Sequence, residues 1–309
     1  FNPPRYMHLL EVVPSHHSDP AIVDQLIDFS DRVLGKGVVL CRDTPNFIGN
    51  RVGTAEMLLT FTTTAAGDYT VEEVDLLNGP LMGRPRTASY RLGDLVGIDV
   101  VGHVIRNLAA VLSNDPASPD FDELHELMVV PPMIANMIER RLLGDKTKSG
   151  FYRKVGKAIE SLDLNTLEYR TNLPAEFPEL AEIATIRDLG KRVYAALRAP
   201  GHAGEFLRKV YLPLFNYSAA RVGSICETPK QIDDAMCWGY GWQQGPFALM
   251  DAAGPAWVAQ QLTAMGLTPA PALRELVAAQ GDAAKPLVGN EGDVLAGGPD
   301  HAVGGALAA

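Results

Sequence analysis

The stretch "TVEEVDLLNGPLMGRPRTASYRLGDLVG" at residues 70–97 is echoed by "TPKQIDDAMCWGYGWQQGPFALMDAAG" at residues 228–254. Both open with a capping-box pattern, Thr70 with Glu73 and Thr228 with Gln231, in which side chain and backbone satisfy each other at a helix start. Both continue with a β-branched residue and an aspartate (Val74-Asp75, Ile232-Asp233), and both close on Asp-x-x-Gly, at 94–97 and 251–254. A long apolar helix is predicted before each, over 45–66 and roughly 204–223. A unit that recurs in this way buries its apolar face against its twin. The pattern therefore predicts a duplicated helical body whose two copies pack on each other.

The helix over 45–66 takes Thr44 as its N-cap, Pro45 as its first residue and Gly67 as its stop. Ile48, Val52, Ala55 and Leu59 fall on one side, with Phe47, Met57 and Phe61 near the other. A helix apolar on both sides is buried within a bundle. Asn50 falls in the Phe47, Met57 and Phe61 sector, so a polar amide faces packed surface or a cleft. Taken alone it reads either as a hydrogen-bonded core amide or as a substrate contact.

The chain begins differently. "FNPPRYMHLLEVV" is a Pro-rich turn followed by a strand over residues 7–13, which places Met7, Leu9, Glu11 and Val13 on one face and His8 on the other. A carboxylate in that company must be paired, hydrogen-bonded or protonated. "SDPAIVDQLIDFSDRVLG" then predicts a helix, with Ser18 and Asp19 at its cap, Pro20 in its first turn and Gly35 beyond its end. Ile22, Leu26, Phe29 and Val33 give it one buried face. "GVVLCRD" (37–43) is a second short strand. Strand, helix, strand is the closing unit of an α/β layer with a parallel pair. Two strands make no stable sheet by themselves.

At 309 residues, 47% hydrophobic and 21% charged, the chain has the length for two domains, or one large one with an appendage, and the composition of a soluble globular protein. Its net charge of −10 carries no basic stripe, which excludes a phosphate-backbone binder and so nucleic acid as a partner. No run of about 18 apolar residues predicts a membrane span. The N-terminus lacks the basic, apolar, small-residue order of a signal peptide, and its start at Phe1 reads as cut or processed. Cys41, Cys226 and Cys237 are odd in number and unpatterned, which suits a reducing cytoplasm. No Cys/His cluster has metal-ligand spacing.

The remaining segments are turn-rich or connecting. "LGDKTKSGFYRK" (143–154) is a turn region, "AIESLDLNTLEYR" a hairpin, and 175–198 a helix. The last residues, "GDVLAGGPDHAVGGALAA", have the composition of a linker. The sequence "GYGWQQG" (239–245) approximates a dinucleotide fingerprint, but its third glycine comes one position late and a helix, not a strand, precedes it. That motif is rejected, and Trp238 and Trp242 are assigned to core packing. His16 and His17 read as a solvated loop, Lys146 as a solvated lysine, and Glu11 as a paired structural carboxylate or a member of a site.

"FNPPRYMHLLEVV", "GKGVVLCRDTPNFIGNRV" and "GDKTKSGFYRK" together resemble three successive signatures of the 3-hydroxyacyl-CoA dehydrogenase family. That family oxidises the 3-hydroxyl of an acyl-CoA with NAD in fatty-acid β-oxidation. "IDDAMCWGYGWQQGPFALMDAAG" resembles the second C-terminal repeat of its long multifunctional bacterial members, and the resemblance covers most of residues 1–255. It implies a mainly α fold: a duplicated helical dehydrogenase C-terminal-type domain preceded by a remnant of a Rossmann α/β domain. The divisions it implies are 1–43 for the dinucleotide-binding remnant, 44–155 for the first repeat, 156–200 for hairpin and connecting helix, 201–265 for the second repeat and 266–309 for the tail.

The resemblance also assigns roles. The family's catalytic histidine lies two residues before the position matched by Phe1. Glu11 matches the glutamate that orients and charges that imidazole, a base-plus-orienter arrangement. Asn50 matches an asparagine that hydrogen-bonds substrate oxygens in the interdomain cleft. Lys146 matches a lysine that reaches the cofactor, and Asn2 has no role beyond shaping its turn. The glycine fingerprint, its acidic ribose ligand and the family's active-site serine and histidine have no match here. "GRPRTASYRLGDLVG" replaces the plainer segment kept in the second copy as Gly245-Pro246-Phe247. The expectation is a cytoplasmic piece of an NAD-dependent enzyme acting on acyl-CoA, inactive alone, with a homodimer or a fused or associated enoyl-CoA hydratase among its partners. Two rival readings stand beside it: a non-catalytic helical dimerisation or scaffold module, and a related hydroxy-acid dehydrogenase of the same two-domain plan.

Overall fold

In the computed structural model, residue 1 and residues 3–280 are described; Asn2 and residues 281–309, with most of the predicted tail, lie outside them. Strand β1 (Leu9–Val12), helix α1 (Pro20–Arg32) and strand β2 (Gly37–Leu40) form the predicted parallel crossover, with Glu11 opposite Val39. Asp19 caps α1 by accepting from the Ala21 N–H at 2.9 Å, as Asx residues do at helix starts. The expected buried face of α1 is instead open. Ile22 is 55% and Phe29 47% exposed, and Leu26 and Val33 are exposed too. Spacing gives a helix a face; it does not supply the partner that covers it.

The helical body begins with α2 (Gly49–Gly67), four residues later than predicted. The cause is the backbone at Asn46 (φ 61°) and Phe47 (φ 50°), which turns left-handed before the helix can start. Thr44 does not cap it; its hydroxyl bonds to the Arg42 carbonyl. There follow α3 (Val71–Leu77), α4 (Tyr90–Val96), α5 (Ile98–Val111) and α6 (Pro132–Glu139). The "GDKTKSGFYRK" turn leads into β3 (Tyr152–Val155), β4 (Ala158–Leu162) and β5 (Tyr169–Thr171), an antiparallel meander containing the predicted hairpin.

The helix predicted over 175–198 is shorter than expected. Pro178 opens one 3₁₀ turn, a second follows at Ile183–Thr185, and α7 (Leu189–Leu197) starts only where Asp188 accepts from the Lys191 N–H at 2.7 Å. Next come α8 (Gly201–Arg221), α9 (Pro229–Tyr240), α10 (Pro246–Ala253), α11 (Pro255–Ala264) and α12 (Pro271–Gln280). The last lies within the segment read as tail, with Leu273 buried.

The echoing stretches use the same local devices. The Thr70 N–H donates to the Glu73 carboxylate at 2.8 Å, and the Thr228 N–H to the Gln231 amide oxygen at 2.8 Å. Asp75, on α3, accepts from the Ser89 and Tyr90 N–H groups (3.1 and 2.7 Å) and so caps α4; Asp233, on α9, accepts from Phe247 and Ala248 (2.8 and 2.9 Å) and caps α10. Gly97 (φ 104°) joins α4 to α5 and Gly254 (φ 90°) joins α10 to α11. Asp94 binds the Phe151 and Tyr152 N–H groups at 2.7 and 2.9 Å, tying the β3 turn to α4. Burial outweighs these donors and pushes the carboxyls up, Asp75 to about 6, Asp94 and Asp233 to about 7.

Helices α2 and α8 pack on each other, and Val52, Leu58 and Phe61 of the first and Phe206, Val210 and Leu214 of the second are buried. Two buried charge clusters cross this interface. Arg84 pairs with Glu56 of α2 at 2.7 Å and lies 4.9 Å over the Tyr211 ring of α8 and 4.1 Å over the Trp242 ring. Arg51 pairs with Asp122 at 2.6 Å, and the Tyr217 hydroxyl donates to the same carboxylate oxygen at 2.7 Å. Single partners of such pairs are costly to remove, because the other charge is left dry.

Candidate functional site

One face of the parallel pair rests against the helical body, both strands meeting α9, with Leu9, Val39 and Cys41 buried. This placement aims the side chain of Glu11 at the start of α2. One carboxylate oxygen, Oε1, accepts from the Ile48 N–H at 3.0 Å and the Gly49 N–H at 2.8 Å. The partner required of a carboxylate on an apolar face is therefore the positive end of a helix, whose first N–H groups have no partner within the helix. The Cys41 thiol also donates to this oxygen at 3.8 Å. Burial and the Glu11 charge push that thiol up, so Cys41 stays protonated.

One residue beyond Gly49, Asn50 projects from the first turn of α2 with its side chain exposed, not packed in the core. The Tyr240 hydroxyl, at the end of α9, donates to Asn50 Oδ1 at 3.3 Å. The Phe1 ring meets the Tyr240 ring edge-on at 5.5 Å between centroids. Glycines make room for both rings: a Cβ on Gly49 would stand 2.7 Å from Phe1 and one on Gly239 would stand 3.1 Å from it, while one on Gly53 would overlap the Tyr240 hydroxyl.

Of the residues singled out in the sequence, Glu11 and Asn50 come together at one helix start. Lys146 does not join them. It sits in the turn before β3 and pairs with Asp99 of α5, whose carboxyl it draws below the usual range. His8 lies on the other face of β1, as the alternation required, against the half-buried Trp238 ring at 5.2 Å. Trp242 is buried. Tyr240 had no signal of its own. It stood inside the rejected "GYGWQQG" motif, which the structure resolves as the end of α9, with Gly241 (φ 68°) as a left-handed cap. Among the described residues no group of three or more His, Cys, Asp or Glu could hold a metal ion. No described helix is long and apolar enough to cross a membrane.

Residues 1–44 match the 3-hydroxyacyl-CoA dehydrogenase NAD binding domain, and residues 47–154 the 3-hydroxyacyl-CoA dehydrogenase C-terminal domain. A probable 3-hydroxyacyl-CoA dehydrogenase of Bacillus subtilis is 39% identical over 266 residues, covering 86% of this chain and 33% of that protein. The chain belongs to the 3-hydroxyacyl-CoA dehydrogenase family.

A second relative of this family, a putative fatty acid oxidation complex trifunctional enzyme of Rickettsia felis, is 32% identical over 82% of this chain and 33% of its own length. The chain thus spans about a third of these curated relatives. The crystal structure of 3-hydroxybutyryl-CoA dehydrogenase from Escherichia coli has the same fold over 89% of this chain and 68% of that one, with a TM-score of 0.54 at 18% identity.

A dinucleotide needs a glycine turn that brings its pyrophosphate onto a helix N-terminus. The described residues offer none. The turn from β1 into α1 contains no glycine, and the α1 N-terminus already holds the Asp19 carboxylate. The segment matching the NAD binding domain contributes a strand pair and Glu11, not a phosphate cradle.

Proposed function

We propose that these residues form the substrate-facing helical part of an NAD-dependent 3-hydroxyacyl-CoA dehydrogenase, which converts a 3-hydroxyacyl-CoA to the 3-oxoacyl-CoA. The observation that carries the reading is the Glu11 carboxylate fixed on the α2 N-terminus, one residue from Gly49 to Asn50. Because Oε1 takes the backbone bonds, Oε2 is left to orient and charge the family's catalytic imidazole. Asn50 donates from its exposed amide to the substrate oxygen where negative charge develops. The match to the NAD binding domain supports NAD as the cofactor. Its phosphates find no cradle among the described residues.

The two helical units, 44–155 and 201–265, are read as a duplication, on their shared capping aspartates and hinge glycines. Lys146, half exposed beside Asp99, is proposed to reach the cofactor; a surface pair of this kind holds a lysine only weakly. The 309 residues contain neither the fingerprint nor a match to the family's histidine, and by themselves are proposed to turn over no substrate. Association with an enoyl-CoA hydratase is supported by the trifunctional name of the Rickettsia relative, and self-association into a dimer is a further expectation.

The test is NADH formation by the full-length gene product, with a 3-hydroxyacyl-CoA and with the corresponding free hydroxy acid. Turnover selective for the thioester supports the reading. Preference for the free acid, or no turnover of either, refutes it.

A further inference from the structure

An exposed asparagine amide has two orientations about its last torsion, which exchange a donor for an acceptor at the same place. For Asn50 to donate to a substrate oxygen, Nδ2 must face the cleft and Oδ1 must face away. One described neighbour bonds to that amide: Tyr240, whose hydroxyl donates to Oδ1 at 3.3 Å. We propose that Tyr240, from the second helical unit, is a positioning residue that sets the orientation of the Asn50 amide on the first unit's leading helix. The inference rests on the function proposed above, within which it assigns a job to the second unit.

Three observations make Tyr240 suited to the role. Its phenol remains a donor, since burial pushes it up and the charges of Glu56 and Glu11 add to the effect. Its ring is held on several sides. Phe1 abuts it, Gly53 gives it space where a Cβ would overlap its hydroxyl, and Trp242 lies edge-on at 6.5 Å. Trp242 is in turn fixed beneath the buried Arg84 guanidinium, which is paired with Glu56. Glu56 lies on α2, the helix that carries Asn50. The hydroxyl and the amide it contacts are thus referenced to one rigid element from both directions. The contact spans 190 positions in sequence.

The test uses the full-length gene product. Tyr240→Phe keeps the ring and removes the donor, leaving the amide free to turn. A phenol donates more strongly than it accepts, and a neutral hydrogen bond of ordinary net strength biases the two orientations at most about fivefold. Removing that bias lowers the competent fraction from about five-sixths to about one half, so turnover number should fall by up to about twofold, with the KM for NAD unchanged. In an Asn50→Ala background the same substitution should cost nothing further, because a residue that acts through another is silent once the other is gone. Gly53→Ala, which pushes the phenol aside without touching its chemistry, should reproduce the loss and the silence, and serves if Tyr240→Phe does not fold. Undiminished turnover in both variants of an active enzyme overturns the inference alone. An equal loss with and without Asn50 also overturns it, since Tyr240 would then be merely structural. No turnover by the wild type overturns the functional reading and this inference with it.

Discussion

Removing Glu11 should loosen the junction between the parallel strand pair and the helical body. The carboxylate holds two backbone N–H groups of the α2 start at 2.8 and 3.0 Å and carries a negative charge at the positive end of a 19-residue helix. Loss of an N-terminal cap costs about 0.5–2 kcal/mol, and a charge at the first turn about 0.3–1 kcal/mol. These overlap, so about 2 kcal/mol is the expected cost of Glu11→Ala. For a folded unit of this size, each kcal/mol lowers Tm by about 2–4 °C, which predicts a fall of about 4–8 °C. Glu11→Gln keeps an acceptor oxygen toward both N–H groups and loses only the charge, so it should fall by about a third of that. Thermal unfolding of the 309-residue chain by circular dichroism measures both. Equal Tm values for wild type and Glu11→Ala would refute the capping role.

Three further outcomes are expected. Asp75, Asp94 and Asp233 have folded pKa values raised to about 6, 7 and 7, so between the ordinary 3.8 and about 7 the native chain binds more protons than the unfolded one. Stability should then decline as pH rises through that window, with Tm at about pH 8 several degrees below that at about pH 5.5; a profile that rises across this range contradicts it. Glu56→Leu strands the buried Arg84 guanidinium and also takes a partner from Asn78 and Thr60, so urea unfolding should show a loss of about 3–5 kcal/mol, and a loss below about 1 kcal/mol would be contrary. Lys146→Ala in the full-length product should raise the KM for NAD severalfold while leaving Tm within about a degree; an unchanged KM returns Lys146 to a surface pair with Asp99.

The parts of the fold that were legible in the sequence are those settled by neighbours in the chain. The β1–α1–β2 crossover, both Thr caps and the glycine links at 97 and 254 follow from residues within a few positions of one another. Where the deciding partner is remote, local reasoning misplaced the element. Pro45 has the place of a first helical residue, but the backbone turns left-handed at Asn46 and Phe47, and α2 starts at Gly49, where a carboxylate 38 positions earlier accepts its first N–H groups. Spacing gives α1 an apolar face, but that face is open, because burial depends on what lies opposite. For the site, alternation on β1 was enough to say that Glu11 needed a partner. It could not say that the partner would be backbone, nor that Tyr240 would meet Asn50 from 190 positions away.

Turnover of a 3-hydroxyacyl-CoA by Glu11→Gln in the full-length gene product is the most direct check on the role given to this carboxylate. The amide side chain preserves the bonds to Ile48 and Gly49, so the helix and Asn50 stay in place while the charge on the imidazole's orienter is lost. General-base assistance is worth about 10²–10⁴-fold, so turnover should drop at least about a hundredfold with the KM for NAD unchanged. Turnover equal to wild type would mean that Glu11 only caps a helix.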